Sequence, residues 1–284
     1  MSAAQKGERV AKAIARAGLC SRREAERLIA ARRVSVDGVV LESPAVVVAP
    51  GATVTVDGKP LPAPGPVRLW RYHKPRGIIT TARDPQGRPT VFDRLPPELP
   101  RVVTVGRLDL NSEGLLLLTN DGALKRRLEL PATGWTRRYR VRVHGKVEPA
   151  RLAALARGVR VGGVEYGPIH AALERRTGAN AWLSVALREG RNREVRRVME
   201  HLGLSVSRLI RVAYGPFQLG RLRPGEVAEA PAKVLREQLG IGQPAERKAG
   251  SAKAKARPRK PGGRKSVARK PRALGAHDKF GRRP

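Results

Sequence analysis

Cysteine is nearly absent from the 284-residue chain: Cys20 is the only one, which excludes a disulfide framework and makes a thiolate metal site untenable. Aromatics are scarce, with three Phe, four Tyr and three Trp, so a long stacking platform for single-stranded nucleic acid is not expected. No apolar run approaches the roughly 18 residues that a membrane span needs, and no signal peptide or lipidation motif is visible. The longest aliphatic block, Leu115 to Leu118, is strand-sized. Neither a Walker loop nor a dinucleotide fingerprint is present, and the histidines His73, His144, His170, His201 and His277 are scattered rather than spaced as metal ligands. We therefore expect a cytoplasmic protein with no membrane partner and no metal.

Acids are the other deficit. Asp plus Glu total 24 against 58 Lys plus Arg, a formal net charge of +34, which points to a polyanionic partner and favours nucleic acid. Residues 245–284 hold fifteen basic residues against two acids among Pro, Gly and Ala, too little apolar content to offset chain entropy. They supply +13, leaving +21 elsewhere.

The rest divides by pattern. Residues 1–6 read as a disordered start. From Glu8, the apolar residues Val10, Ala13, Ile14 and Ala17 recur at helical spacing, and Gly18 suits the helix end. Ser21 and Glu24 form a capping box for a second helix with apolar Ala25, Leu28 and Ile29, and Arg22, Arg23, Arg27, Arg32 and Arg33 make it basic. "VSVDGVVL" (34–41) and "VTVDGKPL" (54–61) each carry the Asp-Gly hairpin signal. These features bound a unit at 7–61. "PAPGP" (62–66) reads as a linker, 67–240 as a larger domain, and 241–284 as a disordered basic tail. In the larger domain, strands are expected at 68–73, 102–105, 115–119, 137–143, 170–175, 181–188 and 209–212, and helices at 123–130, 149–157, 193–202 and 232–239. Without strict alternation the fold class is α+β with a largely antiparallel sheet.

One carboxylate stands out. Asp109 falls in a polar segment between two apolar strands, a position where functional side chains sit on a rigid base; the bland alternative is that it caps a turn or pairs with Arg107. In "RYRVRV", Tyr139, Val141 and Val143 lie on one face and Arg138, Arg140 and Arg142 on the other. In the helix from about 193, Val195, Val198, Met199 and Leu202 form an apolar stripe with Arg196 at its edge, while Arg193 and Arg197 share another face that could grip phosphates.

"GRLDLNSEGLLLLTNDG" (106–122) closely resembles the central signature of the pseudouridine synthases, in the branch that includes RsuA and RluB. "YHKPRG" (72–77), "RRYRVRVHG" (137–145) and "EGRNREVRRVMEHLG" (189–203) resemble that branch's other motifs in the required order, and the N-terminal unit resembles the alpha-L RNA-binding motif. The resemblance implies that Asp109 is the catalytic aspartate, Arg107 helps extrude the target nucleotide, Tyr139 packs on the flipped base and Arg196 pairs with the aspartate. A guanidinium near a carboxylate would keep it ionised where enclosure would otherwise protonate it.

The implied reaction is isomerisation of a uridine in ribosomal RNA, without redox change or group donor. The RNA contacts would fall to Arg22, Arg23, Arg27, Arg32, Arg33, Lys74, Arg193 and Arg197 of a monomer. The long basic tail inclines the reading to 23S large-subunit RNA, free or in a pre-ribosomal particle; the alternatives are a small-subunit enzyme or a non-catalytic assembly factor. A hydrolase would want a second carboxylate, for which Glu113 is the nearest candidate. His73 departs from the family pattern, which more often has an apolar residue or asparagine there.

Overall fold

The computed structural model describes residues 7–241. The expected disordered start at 1–6 and nearly all of the expected tail lie outside the described residues.

The N-terminal part comprises β1 (Glu8–Arg9), α1 (Val10–Arg16), α2 (Arg22–Ala30), β2 (Val34–Val36), β3 (Val39–Val40), β4 (Val47–Val48), β5 (Val54–Val56) and β6 (Lys59–Pro60). Half of the capping box forms, Ser21 Oγ accepting from the Glu24 N–H at 3.1 Å, while the Glu24 carboxylate turns to Arg27 at 3.0 Å. Both Asp-Gly pairs turn with positive φ, at 49° and 84° for Asp37 and Gly38 and at 51° and 73° for Asp57 and Gly58. The hairpins then pair through β2 and β5 into a four-stranded sheet of order β3-β2-β5-β6. Helix α1 begins two residues later than Glu8, because Glu8 and Arg9 extend to pair with Val48 and Val47. Val10, Ile14, Ala25, Ile29, Val34 and Val56 share a core of their own in this part.

The larger part contains β7 (Leu69–Lys74), β8 (Val103–Val105), β9 (Glu113–Thr119), α3 (Gly122–Glu129), β10 (Arg137–His144), α4 (Pro149–Ala154), β11 (Val159–Val161), β12 (Val164–Tyr166), β13 (Ile169–Thr177), β14 (Asn180–Leu187), α5 (Glu194–His201), β15 (Ser205–Tyr214), β16 (Phe217–Gln218), β17 (Val227–Glu229) and α6 (Ala232–Leu239). A nine-stranded sheet runs β13-β14-β10-β15-β9-β7-β17, with β16 on β15 and β8 on β9. The α+β reading with a largely antiparallel sheet holds.

The four leucines of β9 are buried on both faces, as a central strand requires. Leu115 and Leu117 join the core against α3 and α6, and Leu116 and Leu118 join one with Trp70, Tyr72 and Val91. On the other side of the sheet's centre, Tyr139, Val141 and Val143 pack with Leu183, Val185 and the α5 stripe of Val195, Val198 and Met199.

The two halves meet at one parallel contact, where Ile210 and Arg211 of β15 pair with Glu113 and Gly114 of β9. Only glycine fits there. Gly114 has φ +103°, and a Cβ on it would lie 2.3 Å from the Arg211 carbonyl oxygen.

Candidate active site

The segment 106–112 leaves β8 and enters β9 beside that junction. Gly106, at φ +67°, makes the exit, and its N–H donates to Glu129 Oε1 of α3 at 2.6 Å. Thr80 Oγ1 donates to the Leu108 carbonyl at 2.8 Å, and the Gly77 N–H to that of Leu110 at 2.9 Å. The Ser112 N–H closes a turn on the Asp109 carbonyl at 3.0 Å.

Two cations finish the scaffold from behind. Lys74, with no exposed surface, donates from Nζ to the carbonyls of Pro75, Asp109 and Ser112 at 3.0, 3.1 and 2.9 Å. Arg196, also buried, donates from Nη2 to the Asn111 carbonyl at 2.8 Å and from Nη1 to that of Val206 at 3.2 Å. Burial pushes the Lys74 ammonium down to about 8, against the opposing pull of the Asp109 and Glu113 carboxylates. Burial, and then the neighbouring Arg193, also lower the Arg196 guanidinium, with Asp109 opposing.

These facts correct two expectations. Lys74 was expected among the RNA contacts, but a side chain without exposed surface cannot reach a phosphate; it holds the loop instead. The expected direct pairing of Arg196 with Asp109 is replaced by hydrogen bonds from Arg196 to the backbone of 111 and 206, because the guanidinium lies behind the loop. Among the described residues, the Asp109 carboxylate makes no side-chain hydrogen bond and no ion pair within 4.0 Å, so neither a turn cap nor a pair with Arg107 accounts for it.

Half-buried Asp109 instead faces a cleft of about 440 Å³ that Arg107, Tyr139 and Arg193 also line. Arg107 and Arg193 are exposed, and Tyr139 is buried in β10. Arg193 caps α5 in a left-handed conformation, φ 52°. Arg197 is exposed on α5 away from that lining.

Arg22, Arg23, Arg27, Arg32 and Arg33 are exposed on and after α2. Three of them already hold carboxylates: Arg27 pairs with Glu24 at 3.0 Å, Arg32 with Glu42 at 2.7 Å and Arg33 with Asp57 at 2.7 Å. Glu113 is committed too, accepting from Arg208 Nε and Nη2 at 2.7 and 3.0 Å, which removes it as a second catalytic acid. His73 is buried in β7 with Nδ1 2.8 Å from the Leu222 carbonyl oxygen.

Sequence reasoning missed several lining residues. Arg211 is buried in β15 opposite Tyr139; its Nε donates to the Leu115 carbonyl at 2.7 Å, while Nη2 has no partner. Its signal was present, an arginine two residues from Leu209 on the inward face of an apolar strand. Arg137 donates to the Tyr214 hydroxyl at 3.1 Å, and that hydroxyl donates to the Leu128 carbonyl at 2.8 Å. Glu194 accepts from the Arg191 N–H at 3.0 Å, and burial raises its carboxyl.

A sheet split at one parallel seam, with a carboxylate unpartnered among the described residues in a cleft rich in guanidinium groups, can hold a polyanion and present an acidic side chain to it. A family model for RNA pseudouridylate synthase matches residues 68–201, and one for the S4 domain matches residues 8–54. The chain belongs to the RNA pseudouridylate synthase family. It is 45% identical over 231 residues to an uncharacterized RNA pseudouridine synthase of Rickettsia prowazekii, covering 81% of this chain and 97% of that one. It is 46% identical to ribosomal large subunit pseudouridine synthase B of Escherichia coli K12, over 81% of this chain and 82% of the relative. A pseudouridylate synthase crystal structure aligns with a TM-score of 0.57 at 26% identity, covering 81% of this chain and 98% of that one.

Proposed function

We propose that this chain converts one uridine of 23S ribosomal RNA to pseudouridine, with Asp109 acting on a nucleoside flipped into the cleft. The observation that carries the chemistry is the unpartnered Asp109 carboxylate facing the cleft, on a loop fixed through its backbone carbonyls. A carboxylate without a partner among the described residues is open to the nucleoside, as nucleophile or base, while Lys74 and Arg196 are committed to backbone carbonyls. The large-subunit assignment is supported by the likeness to the Escherichia coli relative of that name.

In the reaction the bond from ribose C1′ to N1 breaks, the base rotates, and C1′ bonds to C5. The proton lost from C5 balances the one gained at N1, so the isomerisation calls on no cofactor. Tyr139 forms the floor under the base. Stacking worth about 1–3 kcal/mol offsets part of the few kcal/mol lost on unstacking. Arg107, exposed at the rim, takes the vacated place in the RNA stack, and Arg193 and Arg197 hold flanking phosphates. Arg196 positions the loop through the Asn111 carbonyl.

Residues 7–61, carrying Arg22, Arg23, Arg27, Arg32 and Arg33, serve as the RNA-docking unit and 67–240 as the catalytic unit of a cytoplasmic monomer. Arg22 and Arg23 are the strongest contacts of that set, since the other three are already paired.

Asp109→Asn keeps the shape and removes the charge. Conversion should cease while RNA affinity stays within a few fold; retained turnover would refute the role. Mapping pseudouridine in cells lacking the gene should show one site missing from 23S RNA, and a site missing from 16S RNA instead would overturn the large-subunit assignment.

A further inference from the structure

The arginine face of β10 is not used by the cleft. Arg138, Arg140 and Arg142 project from the side of the sheet opposite Tyr139, Val141 and Val143, which pack into the core with α5. Cross-strand register sets Arg142 between Arg208 of β15 and Trp182 of β14, and Arg175 of β13 lies next to Trp182 on the far side. All five arginines are exposed, and the Arg140 guanidinium lies 4.9 Å from the centroid of the half-buried Trp182 ring.

Their neutralisation is incomplete. Arg140 meets Glu174 at 2.9 Å and Arg208 meets Glu113 at 2.7 Å. Among the described residues, no carboxylate lies within 4.0 Å of Arg138, Arg142 or Arg175. Like charges directly across a strand pair, as in Arg142 beside Arg208, destabilise a sheet, and nothing in the core requires them there. Exposed arginines at every second position of β10, with more across the neighbouring strands, instead match the repeated negative charge of a nucleic-acid backbone.

We propose that this face of β13, β14, β10 and β15 binds the phosphate backbone of an RNA segment separate from the one that delivers the target uridine. The proposal rests on the reading of RNA as the substrate, and adds where a second part of that RNA lies. Adjacent residues of one strand, Arg138 and Tyr139, face opposite sides of the sheet, so one short stem cannot touch both. An RNA occupying both surfaces passes around the sheet edge at β13, which calls for a folded RNA with more than one helical arm.

The test uses the full chain with Arg138, Arg142 and Arg175 replaced together by Gln, and a second version with all three replaced by Lys. Binding to an unmodified 23S RNA transcript and to a short stem-loop is followed over a range of salt. Loss of three phosphate contacts should lower the slope of log K against log salt by about 2 and weaken transcript binding about tenfold or more. Stem-loop binding and the melting temperature should stay at parental values, and the Lys version should recover most of the slope. An unchanged transcript affinity and slope in a folded Gln variant would overturn the proposal, and would leave an acidic protein as the partner to seek for this face. Failure of the parent itself to bind RNA in a salt-dependent way would instead overturn the RNA reading.

Discussion

Lys74→Met separates the scaffold of the Asp109 loop from its chemistry. The ammonium has no exposed surface and donates to the carbonyls of Pro75, Asp109 and Ser112. The Asp109 carbonyl keeps the Ser112 N–H, and orphaning the carbonyls of Pro75 and Ser112 costs about 1–3 kcal/mol each, or roughly 2–6 kcal/mol together. Against this, a pKa pushed from 10.5 to about 8 means that burying the charge costs about 3 kcal/mol, which methionine, of similar length, does not incur. The net change in stability therefore lies between a gain of about 1 and a loss of about 3 kcal/mol, smaller than the loss of the hydrogen bonds alone would imply. Activity has no such compensation. Asp109 loses one of the two donors on its own carbonyl, keeping the Ser112 N–H, and displacement of a reacting group by about 1 Å costs on the order of 100-fold. Single-turnover pseudouridine formation should fall about 100-fold with little change in RNA affinity, while thermal melting shows the variant still folded. A folded variant with kcat within about threefold of the parent would refute the reasoning.

The same group sets a pH signature. Between about pH 8 and 10.5 the unfolded chain holds a proton on Lys74 that the folded chain has released, so unfolding free energy rises with pH through that window. The destabilisation is fully present below about 8 and relieved above 10.5. Parental activity should move the other way, falling above about pH 8, since a neutral amine has two N–H groups for three carbonyls. The Met variant should show neither trend.

Gly114→Ala should break the seam between the half-sheets: a methyl group 2.3 Å from the Arg211 carbonyl oxygen, on a backbone at φ +103°, cannot be accommodated without separating β9 from β15. A loss above about 4 kcal/mol by denaturant titration, or no soluble protein, is expected, and parental stability would show that the contact is dispensable. Arg196→Met removes the donor to the Asn111 carbonyl and should lower kcat more than stability; an insoluble product would assign the side chain to folding instead.

What could be read in the sequence was what neighbours in the chain decide. Alternation in 137–143 placed Tyr139 inward and Arg138, Arg140 and Arg142 outward, and the alternating burial along β10 agrees. Ser21 with Glu24 and the two Asp-Gly pairs fixed a helix start and two turns, each closed within a few residues. The seam was not readable, because β9 and β15 meet across 96 residues of chain, the separation of Arg211 from Leu115. Lys74 was misassigned for the same reason. Next to Arg76 in a basic motif it looks like a phosphate ligand, and only the return of the 106–112 segment over β7 buries it.

That return also accounts for the difference between the expected and the observed surroundings of Asp109. Arg196, expected to pair with the carboxylate, and Lys74, expected to meet phosphate, are both spent on backbone carbonyls of the loop. A carboxylate locked to a guanidinium would have to break a strong, directional bond before meeting a nucleoside, and the open guanidinium would then compete for it. With both cations bonded to backbone carbonyls, the carboxylate oxygens stay free on the cleft side. The loop's rigidity comes from these two side chains, and neither lines the cleft that the carboxylate faces.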